Sequence, residues 1–335
     1  MRVLVTGGAG YIGSHTVVDL MGAGHDVHVL DNLVNARDSV LDRVGEITGR
    51  TPPLHRVDLR DRHAVEAVIA GNGYDAVVHF AALKAVGESI ERPVEYYDVN
   101  VGGTTVLLGA MQRNGVRRLV FSSSATVYGA PDRVPVREDM PLHPATNPYG
   151  RSKQMVESIL EDVHRADPAW SVAILRYFNP VGAHPSGLIG EDPRGPARNV
   201  MPAIARVAAG EIKELTVFGD DYPTRDGTGV RDFIHVMDLS AGHVAALDAG
   251  GEGGLAIWNL GTGVPTSVRE LVETFVRVNG VDVPLRVAER REGDLPEVWA
   301  DPSKATRELG WAAVRSVEDM CRDAWRWQEN EADQA

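Results

Sequence analysis

Gly7, Gly10 and Gly13 follow the apolar run Val3–Thr6 directly and lead straight into a helix-period stretch, Ile12–Met21. A buried strand, a glycine turn and a helix form the opening unit of a parallel βαβ layer, and few other folds accommodate that order. The glycines permit a tight turn and let a pyrophosphate approach the helix N-terminus, where unpaired N–H groups and the helix dipole favour negative charge. Asp31 closes a second apolar run, Val27–Asp31. A carboxylate at that strand end accepts hydrogen bonds from adenosine ribose hydroxyls and repels a ribose phosphate. NAD is therefore the expected cofactor rather than NADP, with Arg37 as the nearby group that would accommodate such a phosphate.

The alternation continues. Leu54–Val57, Ala76–Phe80, Leu119–Ser123 and Val172–Arg176 read as strands; Asp61–Ala70, Val94–Arg113 and Tyr149–Arg165 read as helices, the last capped by Asn147 with Pro148 at its first position. Near-continuous apolar strands are those buried on both faces. The chain is thus predicted to be α/β, a doubly wound parallel sheet of the Rossmann type. After about Asn179 the texture changes. His184–Pro202 and Gly219–Gly229 are rich in Gly, Pro, Asp and Arg, as ordered binding loops are. Residues 1–179 are expected to form the NAD-binding domain and 180–335 a smaller α/β substrate lobe, some of whose segments return to the first domain. Glu329–Ala335 reads as a frayed end.

A net charge of -13 repels phosphate backbones, so nucleic acid is not an expected partner, and an anionic ligand would need a local arginine cluster. The single cysteine, Cys321, cannot form an internal disulfide and is expected to fill core. The N-terminal apolar run is too short for a signal peptide, and no apolar stretch approaches about 18 residues. A cytoplasmic protein without a membrane span or a metal site is expected.

Tyr149 and Lys153 lie four apart at a helix start, so the ammonium stands beside the phenol on one face. Tyrosine ordinarily titrates near 10, and acting as a base near pH 7 requires a drop of roughly 3 units, about 4 kcal/mol. A lysine cation and an oxidised nicotinamide ring in a water-poor site supply charge of the right sign. Ser124, at the end of a serine-rich strand, can bridge a substrate hydroxyl and Tyr149. Asp58 and Leu59 follow the third strand and are placed to hold adenine, although a helix cap explains Asp58 as well. Phe80, Ala81, Ala82, Leu83 and Lys84 follow the fourth, with small residues where a cofactor would cross the strand ends.

Several long stretches carry a more specific signal. They are Val5–Gly8 through Gly13–His15, Leu30–Leu33, His79–Ala81 through Gly87–Ser89, Phe121–Gly129, Pro148–Lys153, Leu175–Gly187, Gly227–His235 and Arg290–Pro296. In these the chain resembles the UDP-galactose 4-epimerases, extended short-chain dehydrogenases, over nearly its full length. The resemblance implies tightly held NAD, a UDP-hexose substrate, a transient 4-keto sugar and a homodimer formed through the helices after Val94 and Tyr149. It implies cofactor contacts from Gly7, Gly10, Tyr11, Ile12, Gly13, Asp31, Asn32, Asp58, Leu59, Phe80, Ala81, Ala82, Lys84, Ser124, Tyr149, Lys153, Tyr177 and Phe178. It implies substrate contacts from Lys84, Ser124, Tyr149, Asn179, Asn199, Val200, Thr216, Val217, Phe218, Arg231, Arg291, Asp294 and Val298. Two positions depart from some relatives: Val99 stands where they carry Asn, and Val298 where hexose-restricted relatives carry Tyr. The smaller Val298 would leave room for an N-acetyl group. Nucleotide-sugar 4,6-dehydratases carry an acidic pair after the residue matching Ser124, whereas this chain has Ala125 and Thr126. A uronate epimerase or decarboxylase would need a site for the C6 carboxylate. A non-catalytic NAD-sensing protein would be expected to lose Tyr149 or Lys153.

Overall fold

The computed structural model describes residues 1–192, 199–251, 253–291 and 293–332. Seven strands build the main sheet: β1 (Arg2–Thr6), β2 (Asp26–Asp31), β3 (Leu54–Arg56), β4 (Ala76–His79), β5 (Arg118–Ser124), β6 (Ser171–Tyr177) and β7 (Gly254–Leu260). All neighbours are parallel, in the order β7-β6-β5-β4-β1-β2-β3. Alternate side chains of one strand enter two different cores. Val3 and Val5 pack with Val29, Leu239 and Trp258 on one face; Leu4 packs with Val77, Phe121 and Ile174 on the other. With both faces covered, nearly every strand position must be apolar, which produces the uninterrupted runs in the sequence.

Strand order reverses between β1 and β4. In sheets of this kind the crevice at the carboxyl ends of such strands receives ligands. The segment expected as one helix from Val94 to Arg113 is instead broken. Pro93–Tyr97 runs into a wider π turn, Asp98–Gly102, and then Gly103–Arg113. Such turns re-aim side chains without ending a helix. Here Asn100 turns inward: its Oδ1 accepts from Leu83 N at 2.8 Å and its Nδ2 donates to Ser152 Oγ at 3.0 Å.

Beyond β6 the chain builds a smaller lobe. Val230–His235 pairs with Asn179–Val181, Pro265–Ser267 and Glu297–Val298, and Leu215–Phe218 pairs with Leu285–Ala288. Its own core gathers Phe233, Leu271, Phe275, Met320 and the buried Cys321, whose thiol burial pushes up to about 12. In the middle of this stretch the helix Val236–Ala249 returns to pack on Tyr11–Gly22, where Ser240 Oγ donates to His15 O at 3.0 Å, and leads into β7. Residues 329–332 continue the helix Val317–Ala332 rather than fray, and Glu331 pairs with Arg43.

Candidate active site

A cavity of about 500 Å³ runs along the carboxyl ends of β1, β2 and β4, within the size range of small-ligand sites. Gly7 has φ +70°, and a Cβ there would lie 2.6 Å from Ala81 N; a Cβ on Gly13 would lie 2.2 Å from Gly7 O. Neither position admits a side chain, so the helix N-terminus stays close to the crevice. Gly10 caps the helix Tyr11–Gly22 without a side-chain bond, and no acidic residue occupies the first turn. The N–H groups that a side chain would otherwise satisfy remain available to an anion. At the other end Asp31 Oδ2 accepts from Ala9 N at 3.1 Å and Oδ1 from Leu33 N at 2.8 Å, which fixes the carboxylate at the rim. A turn without side chains, an uncapped helix start and a held carboxylate together fit a dinucleotide.

Asp58 is not a helix cap. Asp61 performs that role, accepting from His63 N and Ala64 N. Asp58 binds Arg60 and Asn32, each at 2.9 Å, and the Arg60 guanidinium holds its carboxyl well below the usual range. Arg37, the group that could have served a ribose phosphate, pairs with Asp192 at 2.9 Å. Lys84 crosses the mouth to Glu191 at 2.8 Å, and Asn199 Nδ2 donates to the same oxygen at 2.6 Å. Glu191 and Asp192 were not singled out in the sequence. Their only signal there was membership of the Gly- and Pro-rich loop His184–Pro202, and its residues 193–198 lie outside the described residues.

Tyr149 and Lys153 line the same cavity as the glycine turn and Asp31, as do Tyr11, Ile12, Leu59, Phe80, Ala81, Ala82, Val99 and Tyr177. Asn147 Oδ1 accepts from Gly150 N at 2.8 Å and starts the helix Pro148–Ala166 at the place that aims Tyr149 inward. Lys153 Nζ donates to Ser122 O at 2.7 Å and lies 5.8 Å from the Tyr149 ring centroid. Ser124 ends β5; its Oγ accepts from Thr126 N at 3.2 Å and from Thr126 Oγ1 at 3.0 Å. Burial pushes the Tyr149 phenol up to about 12, while a hydrogen bond with Ser124 pulls the other way. Burial pushes the Lys153 ammonium down to about 7, and Glu157 opposes that. The protein alone therefore does not make Tyr149 a base. Desolvation outweighs the Ser124 hydrogen bond, and positive charge is required at the phenol. Tyr177, hydrogen-bonded to Ser122, stands on β6 directly beside Ser124 in register. Phe178 points elsewhere: its ring packs with Val127, Tyr128, Val136 and Ala300.

In the smaller lobe a second set converges. Phe218 ends its strand 39% exposed, with the Arg291 guanidinium 4.8 Å from its ring centroid and Asp294 2.9 Å from Arg291. Arg231 donates to Val230 O at 2.8 Å, and no carboxylate lies within ion-pair distance of it among the described residues. Burial holds its guanidinium below the ordinary value, Asp294 pulling upward and Arg291 adding to the fall. A desolvated cation without a counter-ion is a costly arrangement unless an anion completes it. Val298 pairs with Arg231 in register and packs toward Val127 and Phe178. Thr216 accepts from Arg286 at 2.9 Å, whereas Val217 and Val200 pack with the lobe's core. Asn199 begins the helix Val200–Ala208, and Asn179 begins the strand that pairs with Phe233.

A family described as GDP-mannose 4,6 dehydratase matches residues 4–324. The UDP-glucose 4-epimerase of Bacillus subtilis (strain 168) is 57% identical over 329 residues, which is 98% of this chain and 97% of that one. The crystal structure of UDP-glucose-4-epimerase from Stenotrophomonas maltophila, with bound NAD and formylated UDP-arabinopyranose, superposes with a TM-score of 0.97 at 52% identity over all of both chains. That of UDP-glucose 4-epimerase from Bifidobacterium longum, in complex with NAD+ and UDP, gives 0.97 at 49% over all of both chains.

Proposed function

This chain belongs to the UDP-glucose 4-epimerases, within the wider dehydratase-named family, and from that premise we propose that it interconverts UDP-glucose and UDP-galactose by reversible oxidation at C4. The observation that carries the reading is that Tyr149 and Lys153 face the same cavity as the glycine turn and Asp31. NAD, when bound, supplies the hydride acceptor and donor and a positive ring near the phenol. The glycine turn, the helix start at Tyr11 and Asp31 hold it. Tyr149 takes the C4 hydroxyl proton, Ser124 orients that hydroxyl, and Lys153 contributes positive charge. Arg231 and Arg291 grip the diphosphate, Phe218 stacks on uracil, and Asn179 and Lys84 face the sugar. Holding the nucleotide firmly and the hexose loosely lets the keto sugar turn over without escaping.

Dehydration is disfavoured, because Ala125 and Thr126 follow Ser124 and the Thr126 hydroxyl is spent on it. We place the division between the NAD-binding and UDP-sugar lobes near residue 179, with Val236–Ala249 and β7 returning to the first. A homodimer is supported by exposed Ile90 (60%), Val94 (80%) and Met155 on the packed helices Val86–Glu91, Pro93–Tyr97 and Pro148–Ala166; a solution mass of one chain would exclude it. No helix among the described residues is long and apolar enough to cross a membrane, and the lone buried thiol suits the cytoplasm.

The direct test incubates purified protein with UDP-galactose and no added NAD. Appearance of UDP-glucose supports both the reaction and a retained cofactor; no conversion, even after NAD is supplied, ends the proposal. Val298 leaves room for an N-acetyl group, so UDP-N-acetylgalactosamine is also expected to react. Val298→Tyr should suppress that substrate at least tenfold while sparing UDP-galactose, about 1.4 kcal/mol of selective loss.

A further inference from the structure

Behind the reacting groups lies a charged centre that touches neither the cofactor cavity nor the arginine end. Glu157 stands one helix turn beyond Lys153, and its side chain and that of Arg176 are each 3% exposed. Arg176 Nε donates to Oε1 at 3.0 Å and Nη2 to Oε2 at 2.6 Å. The Ser123 hydroxyl donates to the same carboxylate. Arg176 Nη1 also donates to the Tyr128 hydroxyl at 3.1 Å, which in turn donates to Asn259 Oδ1 at 2.7 Å. One buried network thus ties the tip of β5, β6, β7, the turn after Ser124 and the helix that carries Tyr149 and Lys153.

Stability alone does not account for it, since well-packed apolar side chains of similar volume commonly replace a buried ion pair without loss. The surroundings of the Lys153 amine suggest another reason. Its own helix presents Tyr149 and Glu157; β5 presents the Ser122 carbonyl and the Phe121 ring. β4 presents His79, kept neutral by burial and bonded to the Thr6 and Thr104 hydroxyls at 2.7 and 2.8 Å. β6 adds Tyr177, and Arg176, whose charge is taken up by Glu157. Glu157 is the carboxylate among these groups.

We propose that Glu157 is a positioning residue for the reaction: clamped by Arg176 and Ser123, its carboxylate fixes the tip of β5 against the catalytic helix and keeps the Lys153 amine cationic beside Tyr149. This rests on Tyr149 being the base. A rate that needs the phenolate rises with pH through the phenol's titration. Removing the Glu157 charge lets Lys153 lose its proton earlier, and a neutral amine leaves the phenol harder to ionise. The direct effect of the carboxylate on the phenol has the opposite sign. It acts over two helix turns, about 12 Å, against about 6 Å to Lys153, and is the weaker.

The test measures thermal unfolding and the pH profile of kcat for UDP-galactose in four NAD-loaded proteins: wild type, Glu157→Gln, Glu157→Asp and Glu157→Gln/Arg176→Met. A wild type without turnover would retire the underlying reading; the inference is judged on the variants. Glu157→Gln should lower kcat at pH 7 about tenfold and move the acid limb up by about one unit. Glu157→Asp, which keeps the charge, should stay near wild type. The double variant buries no unpaired charge and should regain the wild-type unfolding temperature; with the repelling Arg176 cation gone as well, its limb should lie between those of Glu157→Gln and wild type. Recovery of the wild-type limb in the double variant, or an Asp variant displaced as far as Gln, would show a scaffold pair only and overturn the proposal. If the Gln variant does not fold, the double variant decides the question alone.

Discussion

Arg176 and Arg231 are both desolvated arginines on strands beside the reaction groove, yet they are treated in opposite ways. Arg176, on β6, meets a two-oxygen carboxylate clamp from Glu157. Arg231, in the smaller lobe, meets backbone carbonyls at 2.8 and 3.5 Å and no carboxylate among the described residues. The first charge is spent inside the protein, so that end of the groove is rigid before any ligand arrives. The second is withheld, so the other end is completed by an anion. Residue type and burial alone do not separate scaffold from site; the presence of an internal counter-ion does.

That contrast is open to direct attack. Arg176→Met should cost about 3–5 kcal/mol of stability, because it strands the buried Glu157 carboxylate; calorimetry showing a wild-type unfolding temperature would break the comparison. Acid should loosen the main sheet's surroundings first. Burial pushes His15 and His79 down to about 3 and His243 down to about 4. Unfolded imidazoles take up protons near 6.5, so below that pH the unfolded chain holds more protons than the fold. Stability should therefore fall with acidity, by about 1.4 kcal/mol per unit for each of these side chains. Unfolding temperatures that stay flat from pH 7 to 5 would contradict this.

Arg231→Met is the mirror of the Arg176 change. It should weaken UDP binding by about 2–3 kcal/mol, the scale of lost charge-assisted hydrogen bonds, with little change in unfolding temperature. Titration calorimetry with UDP reads the first, and a large stability loss would refute the second. Smallest is the effect of Asp192→Asn. It removes the partner of the 62%-exposed Arg37 side chain and should speed NAD loss about twofold, about 0.5 kcal/mol, an effect that vanishes in high salt.

Much of this was visible in the chain itself. The apolar runs of β1, β2 and β4 to β6, the glycine spacing, the Asn147–Pro148 helix start and the four-residue step from Tyr149 to Lys153 follow from backbone geometry and side-chain periodicity, which act over a few residues. The π turn at Asp98–Gly102 is not legible in the sequence because its helical periodicity is nearly unbroken; only the packing of Asn100 against Leu83 and Ser152 requires it. Likewise β7 lies 83 residues beyond β6 by its Leu260–Tyr177 pairing, and nothing local announces that it rejoins the first sheet.

The sequence by itself determined the elements, the glycine turn and which groups could do chemistry. Only the tertiary structure decided which charges were already spent: Arg37 on Asp192, Lys84 on Glu191, Arg176 on Glu157, and none on Arg231 among the described residues. The physical reason is distance along the chain. Arg37 and Asp192 are 155 residues apart and Lys84 and Glu191 107, so their pairing depends on how whole lobes pack, and Coulomb's law acts on the separation that packing leaves.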